Sequence, residues 1–275
     1  MAQIIAVRSG GDLATGVVQK FFRAGLRVVI LETSAPTAIR RSVALSEAVY
    51  NGAAQVEDVL CQKVDAVSRL DECWKAGCVP LLVDQDGESL CDIAPAAVID
   101  AILAKRNTDT HMGMAAITIA LGPGFEAGKD VHAVIETMRG HDLGRLILSG
   151  SAAPNTGTPG EIGGKSTERV LRAPSAGILT AQKKIGDVVD RGEPVFTVGG
   201  QTVRAPFTGL LRGILRDGMH IPSGMKAADL DPRTDIDVHT ISDKARCLGG
   251  AALEAYFYLL NRGKRNNAGH IHTNR

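Results

Sequence analysis

The chain opens on an unbroken apolar run, "QIIAV" at 3–7, which predicts a short buried strand. The period then changes. Leu13, Val17 and Phe21, together with Ala14, Val18 and Phe22, recur at four-residue spacing and lay a wide apolar stripe along a helix that ends at Gly25. "LRVVILE" (26–32) predicts a second strand; Ile39, Val43 and Val49 mark another amphipathic segment; "CVPLLVD" (78–84) predicts a third strand. "PAAVIDAILAKR" (95–106) reads as a helix with Pro95 in its first turn. Strands alternating with helices imply a parallel sheet, so residues 1–106 are expected to form a Rossmann-like α/β domain.

From residue 107 to 168 the texture becomes β-rich. "GMAAITIALGPGF", "DVHAVIETM" and "GRLILSG" predict three strands of a small middle unit, followed by the linker-like "GSAAPNTGTPGEIGGKSTE". Then comes an internal repeat: "RAPSAGIL" from Arg172 returns as "RAPFTGLL" from Arg204, and Gly186 and Gly192 find counterparts in Gly218 and Gly224 at the same offset of 32. This tandem resembles the barrel-sandwich hybrid of lipoyl and biotinyl carrier domains, expected over 169–233. Carriers attach their cofactor to a lysine in the hairpin between the halves; here that hairpin is "VGGQTV", which has none, so neither lipoyl nor biotin is expected. Residues 234–275 predict a C-terminal helix capped by Ser242 or Thr240, with a polar tail containing His270 and His272.

Charge and composition narrow the functions. With 31 basic and 30 acidic residues and 4% aromatics, neither a nucleic-acid surface nor a stacking platform is expected. The apolar runs are too short for a membrane span or a secretion signal, which predicts a cytoplasmic protein. Cys61, Cys73, Cys78, Cys91 and Cys247 are odd in number and lack metal-ligand spacing, so they are expected to be mostly buried thiols, and no metal site is expected.

The candidate chemistry begins at "SGGDLATG" (9–16). Gly10, Gly11 and Gly16 do not have dinucleotide-fingerprint spacing, and Val17 and Val18 stand where a P-loop needs Lys and Ser/Thr. What remains is a glycine-containing strand-to-helix turn. Gly10, Gly11, Asp12 and Thr15 could hold an anion there, with Glu32 at the end of the second strand placed for a ribose hydroxyl. Asp12 capping its own helix is the competing role. Arg40 and Arg41 are candidates for a phosphate, and Gly122, Gly124, Arg139 and Arg145 for an opposite wall. His132, Glu136, Arg139, His141, Asp142 and Arg145 form the densest ionisable cluster; in it Glu136 and His141 are the candidate acid/base pair.

Seven stretches carry a resemblance: "GDLATG", "AIRRSVALSEAVYNG", "VIDAILAKRN", "ALGPGFEAGKDVHAVIETMRGHDLGR", "PNTGTPG", "RVLRAPSAGIL" and "LRGILRDGMHIPSGMKAADLDPR". Together they resemble the YqeB-type family of selenium-dependent molybdenum hydroxylase maturation proteins. The resemblance implies a cytoplasmic accessory factor that handles molybdopterin or a nucleotide and has a molybdenum hydroxylase as client. Ser9 stands where that family's turn carries a glycine. A nucleotide-dependent oxidoreductase or group transferase is the alternative, and a protein-binding scaffold a further one. Tyr256, Phe257 and Tyr258 on the last helix point to association between copies.

Overall fold

Period-two and unbroken apolar runs become the strands of one large sheet, and the four-spaced stripes become the helices that cover it. The computed structural model describes residues 3–269, and side chains as far as 263; the tail with His270 and His272 lies outside the described residues. The chain divides into two compact units. The first holds the residues up to Ala35, Leu45–Asn155 and those from Ile241 onward. The second holds Pro36–Ala44 and Thr156–Thr240.

In the first unit the elements run β1 (Ile4–Arg8), α1 (Asp12–Arg23), β2 (Arg27–Glu32), α2 (Ala48–Asn51), β3 (Ala53–Val56) and β4 (Val59–Val64). They continue with α3 (Leu70–Lys75), β5 (Val79–Val83), α4 (Leu90–Ile93), β6 (Ala97–Asp100), β7 (Ile117–Leu121), β8 (Glu126–Ala127), β9 (Ala133–Ile135), β10 (Leu146–Ile147) and β11 (Gly150–Ser151). Nine strands form one sheet in the order β10-β9-β7-β6-β1-β2-β5-β4-β3, parallel except for the edge strands β10 and β3. The fold is therefore a mixed α/β one with a large sheet. The three strands expected in a separate middle unit in fact extend this sheet, because β7 pairs in parallel with β6, and β9 with β7.

Two other expectations are corrected. The helix expected over 95–106 is the strand β6, whose four residues are all buried between β1 and β7. An apolar run covered on both faces has no period by which to tell strand from helix. Nor are the cysteines mostly free buried thiols: Cys73 and Cys78 form a disulfide, Cys91 and Cys247 are exposed, and only Cys61 is a buried thiol, its pKa pushed up by burial. The amphipathic segment around Ile39 and Val43 forms 3-10 turns, with only the short α2 beyond it.

The second unit shows the repeat element by element. β12 (Val170–Arg172), β13 (Gly177–Ala181), β14 (Val188–Val189) and β15 (Pro194–Val198) are followed by β16 (Gln201–Arg204), β17 (Gly209–Ile214), β18 (His220–Ile221) and β19 (Lys226–Asp231). The halves exchange partners, giving four-stranded sheets β12-β19-β17-β14 and β16-β15-β13-β18. Equivalent bonds recur across the repeat: Arg172 Nη1 donates to the Gly224 carbonyl, and Arg204 Nη1 to the Gly192 carbonyl. Between the halves Gly199 and Gly200 (φ +55° and +77°) make the two-residue turn that joins β15 to β16.

The chain returns to the first unit as α5 (Asp243–Gly269), whose first turn is capped as expected: Ser242 Oγ accepts the Ala245 amide. This helix lies on α1. A Cβ on Gly16 would collide with the Ala245 carbonyl, and one on Gly249 with the Gly16 carbonyl, so both glycines are there to let two backbones touch. Farther along, Tyr256 is fully buried against Phe21, ring centroids 5.7 Å apart, and its hydroxyl bonds Gln3. We expect Gly249→Ala to destabilise the fold by about 1–3 kcal/mol through overpacking. Gly250→Ala, with nothing within 4 Å of the new methyl, should be neutral or stabilising by about 0.5–1 kcal/mol. Thermal melts of the two variants against wild type check the contrast.

Candidate functional site

Ligands of open α/β sheets bind beyond the carboxyl ends of the strands, where the strand order reverses. In the first unit that point lies between β1 and β6, and the chain fills it itself. Arg8, 3% exposed, ends β1 in register with Asp100 of β6. Its Nη1 donates to Thr110 Oγ1 at 2.5 Å and Asp109 Oδ1 at 2.7 Å, and its Nη2 to the Gln85 carbonyl. Thr110 Oγ1 donates in turn to Asp100 Oδ2 at 2.6 Å. Burial pushes the Asp100 carboxyl above the usual carboxylate range, opposed by this bond. Sequence reading missed this buried network; a charged residue closing each of two apolar strand runs was the available signal.

The turn from Ser9 to Gly16 is likewise tied down from within. Glu32 Oε1 accepts the Gly10 amide at 3.0 Å and the Ser9 hydroxyl at 3.3 Å, while Oε2 accepts the Thr33 amide at 2.7 Å. Its carboxyl sits above the usual range because burial outweighs these bonds. Gly11 gives its amide to Ser9 Oγ and is itself the cap residue of α1, with Asp12 the acidic residue of the first turn. Thr15 Oγ1 donates to the Gly10 and Gly11 carbonyls and accepts the Leu45 amide. A side chain at Gly10 would meet Ser46 N at 2.8 Å, so this glycine admits the chain's own backbone. Gly16, farther along, serves the α1–α5 contact. The Gly10 and Gly11 amides, candidates for an anion, are thus engaged by Glu32 and Ser9. Ser9 adopts φ +93°, a conformation that favours glycine.

Beside the start of α1 a charged group assembles that the sequence did not bring together. Lys244, in the first turn of α5 and partly buried, interacts electrostatically with Arg139, Asp12, Glu136 and Asp243. Burial is the largest influence on it and Arg139 the next; together they lower the Lys244 pKa. Arg139 reaches Asp243 through two bonds, of 2.9 and 3.0 Å, with the carboxylate largely exposed. Lys244 and the surface-paired Arg139 thus share their neighbourhood with the carboxylates of Asp12, Glu136 and Asp243.

The other candidates are dispersed. Glu136 is buried, and each carboxylate oxygen accepts a backbone amide at 2.7 Å, Met138 on one and Ala153 on the other. His141 is exposed, and no hydrogen bond joins it to Glu136 among the described residues. His132 accepts the Thr118 amide at Nδ1, and burial lowers its pKa. Arg145 pairs with Asp142 on the surface. Gly122 abuts Thr137 and Gly124 the Arg106 backbone, close approaches within the protein. Arg40 and Arg41 belong to the second unit, where Arg41 Nε donates to the Ile214 carbonyl at 2.8 Å. Among the described residues no cluster of three metal-ligating side chains occurs, and no helix is long and apolar enough to cross a membrane.

No family model matches the chain. It is 45% identical over 262 residues to "Uncharacterized protein YqeB" of Escherichia coli strain K12, a match covering 95% of this chain and 48% of that protein. The chain is thus similar to YqeB over nearly all of its own length. It spans about half the length of that curated relative. Among solved structures, the product-bound ectoine utilization protein EutE (DoeB) of Ruegeria pomeroyi aligns with a TM-score of 0.26 at 10% identity, over 83% of this chain and 85% of that one. An aspartoacylase family protein of Mesorhizobium loti aligns with a TM-score of 0.26 at 9% identity, over 85% and 86%.

The strain at Ser9 gives a direct test. Ser9→Ala loses the hydroxyl but keeps the unfavourable φ, whereas Ser9→Gly loses the hydroxyl and the strain. We expect the glycine variant to be more stable than the alanine variant by about 1–2 kcal/mol, read from denaturant unfolding.

Proposed function

We propose that this chain is an accessory factor for molybdenum hydroxylases, and that it holds a phosphate-bearing cargo, molybdopterin or a nucleotide, at the start of α1. The observation that carries the binding part is that Lys244 interacts with both Arg139 and Asp12, while Arg139 is bonded to Asp243, the residue before Lys244 at the start of α5. A phosphate arriving there would take over Arg139 from the exposed Asp243 and add to the negative charge that Asp12, Glu136 and Asp243 already set around Lys244. The molybdenum part rests on the sequence motifs that resemble the YqeB-type maturation family. The first unit is read as Rossmann-like. The second is read as a barrel-sandwich hybrid without a carrier lysine, which suits it to docking a client hydroxylase rather than swinging a cofactor.

Each residue then has a task that its contacts allow. Glu32 and Thr15 hold the turn so that the start of α1 is fixed before ligand arrives. Glu136, both oxygens held by amides, braces the loop that carries Arg139, a role that competes with proton transfer. Arg139 and Lys244 supply the charge.

The test is thermal stabilisation by NAD, NADP, ATP, CTP, GTP, molybdopterin and its cytosine dinucleotide. A ligand at a hundred times its dissociation constant adds about 2.7 kcal/mol, a shift of several degrees. We expect a molybdopterin species to give the largest shift, and Lys244→Gln to weaken it about ten-fold. Affinity should also fall as the pH rises through the depressed range in which Lys244 loses its proton, since the charged form binds. A panel without any shift, or an unchanged affinity in Lys244→Gln, overturns the reading.

A further inference from the structure

In the second unit four cations gather on two buried carboxylates. On β19, Asp229 and Asp231, both almost fully buried, stand two residues apart on one face of the strand. Asp231 takes two bonds from Arg233, at 2.9 and 3.0 Å, and Asp229 faces Lys226 at 3.4 Å. Both carboxylates thus have a cation before the buried Arg169 and the partly buried Arg212 are considered. Arg212 approaches Asp231 at 3.3 Å from β17, where the pairing with β19 slips between Leu211 and Gly213. Such a bulge re-aims the side chain it carries.

Arg169 is the decisive group. It is 5% exposed, yet its Nη2 stands 3.6 and 3.9 Å from the two aspartates, beyond hydrogen-bond reach. Nη1 makes a 3.3 Å bond to the Gly160 carbonyl, and Nε has no hydrogen-bond partner. A buried guanidinium with an idle Nε edge is expensive to keep, and the shape of that edge is complementary to an oxyanion.

A third arginine is delivered by the crossing of Pro36–Ala44. Gly213 has no side chain, and a Cβ there would lie 2.7 Å from the Ile39 carbonyl, so the segment passes directly over β17. The Arg41 bond to the Ile214 carbonyl fixes it, and Arg40 then acts on Arg212. After burial, the repulsion from Arg40 is the largest influence disfavouring the Arg212 charge.

We propose that the second unit contains an oxyanion site in which Arg169, Arg212 and Arg40 bind the phosphate group of a small molecule. The phosphate would accept the Arg169 Nε edge and relieve the repulsion between Arg40 and Arg212. The site is separate from the one at Lys244, because its residues all belong to the second unit.

Calorimetric titration of the full chain tests it, using inorganic phosphate and adenosine monophosphate, with potassium chloride at matched ionic strength as reference. Phosphate should bind with a heat absent from the chloride titration, and Arg40→Gln, a change at a partly exposed position, should weaken it about ten-fold or more. Arg169→Lys should do the same while the melting temperature reports that the fold persists. Loss of the heat in Arg40→Gln and Arg169→Lys assigns it to the second unit, whereas the thermal-shift panel reads the start of α1, so failure here and failure of the reading given under Proposed function are distinguishable. Tighter binding of the monophosphate than of free phosphate identifies an ester as ligand; the reverse identifies the free ion. Equal heats with phosphate and chloride, or wild-type affinity in Arg40→Gln, overturn the proposal.

Discussion

The backbone contact between α1 and α5 is the constraint from which the first unit's chemistry follows. Two helices can touch this closely only where both lack side chains, and Gly16 and Gly249 supply that. With this contact in place, the first turn of α5 lies beside the first turn of α1, and Lys244 comes within electrostatic reach of Asp12. The buried Tyr256, locked against Phe21 and Gln3, holds the other end of the same contact. The glycine that closes the "SGGDLATG" stretch therefore acts at a distance from the turn itself, by fixing where a lysine more than two hundred residues away comes to rest.

The turn shows how a glycine-rich loop can be built for rigidity. Its amides meet Glu32 and Ser9, its carbonyls meet Thr15 and Ser46, and one residue accepts a conformation that favours glycine. Strain of this kind persists only where surrounding bonds over-determine the backbone, and here Glu32, Thr15 and Ser46 provide them. The result is a fixed helix start rather than an open cradle. Charge for a ligand then has to come from side chains beyond the turn, and Arg139 and Lys244 are the ones at hand.

In the second unit, the repeated halves share their strand pairing and their arginine-to-carbonyl bonds, and they depart from symmetry at the charged residues of the proposed site. Arg212 on its bulge has as its counterpart Thr180 on β13, and Asp229 and Asp231 have Thr197 and Gly199. The repeated framework carries the fold, and the unmatched charges carry the proposed oxyanion site.

The sequence by itself determined the strands β1, β2, β5 and β7, the helices α1 and α5 with its Ser242 cap, and the repeat of the second unit. Each of these is a local pattern: an apolar run, a four-residue stripe, a capping residue, an offset. The nature of β6 lay beyond it, since a run buried on both faces has no period, as did the joining of β7, β9 and β10 to the main sheet, since pairing partners are distant in the chain. The site followed the same division. Glu32 and the "SGGDLATG" turn were legible as a unit, but the sequence could not show that Glu32 would use the turn's amides, or that Arg40 and Arg41 would belong to the other unit. The convergence of Lys244 with Arg139, and of Arg169 with Arg212, was decided by tertiary structure alone, because electrostatic neighbours are set by how elements pack rather than by spacing along the chain.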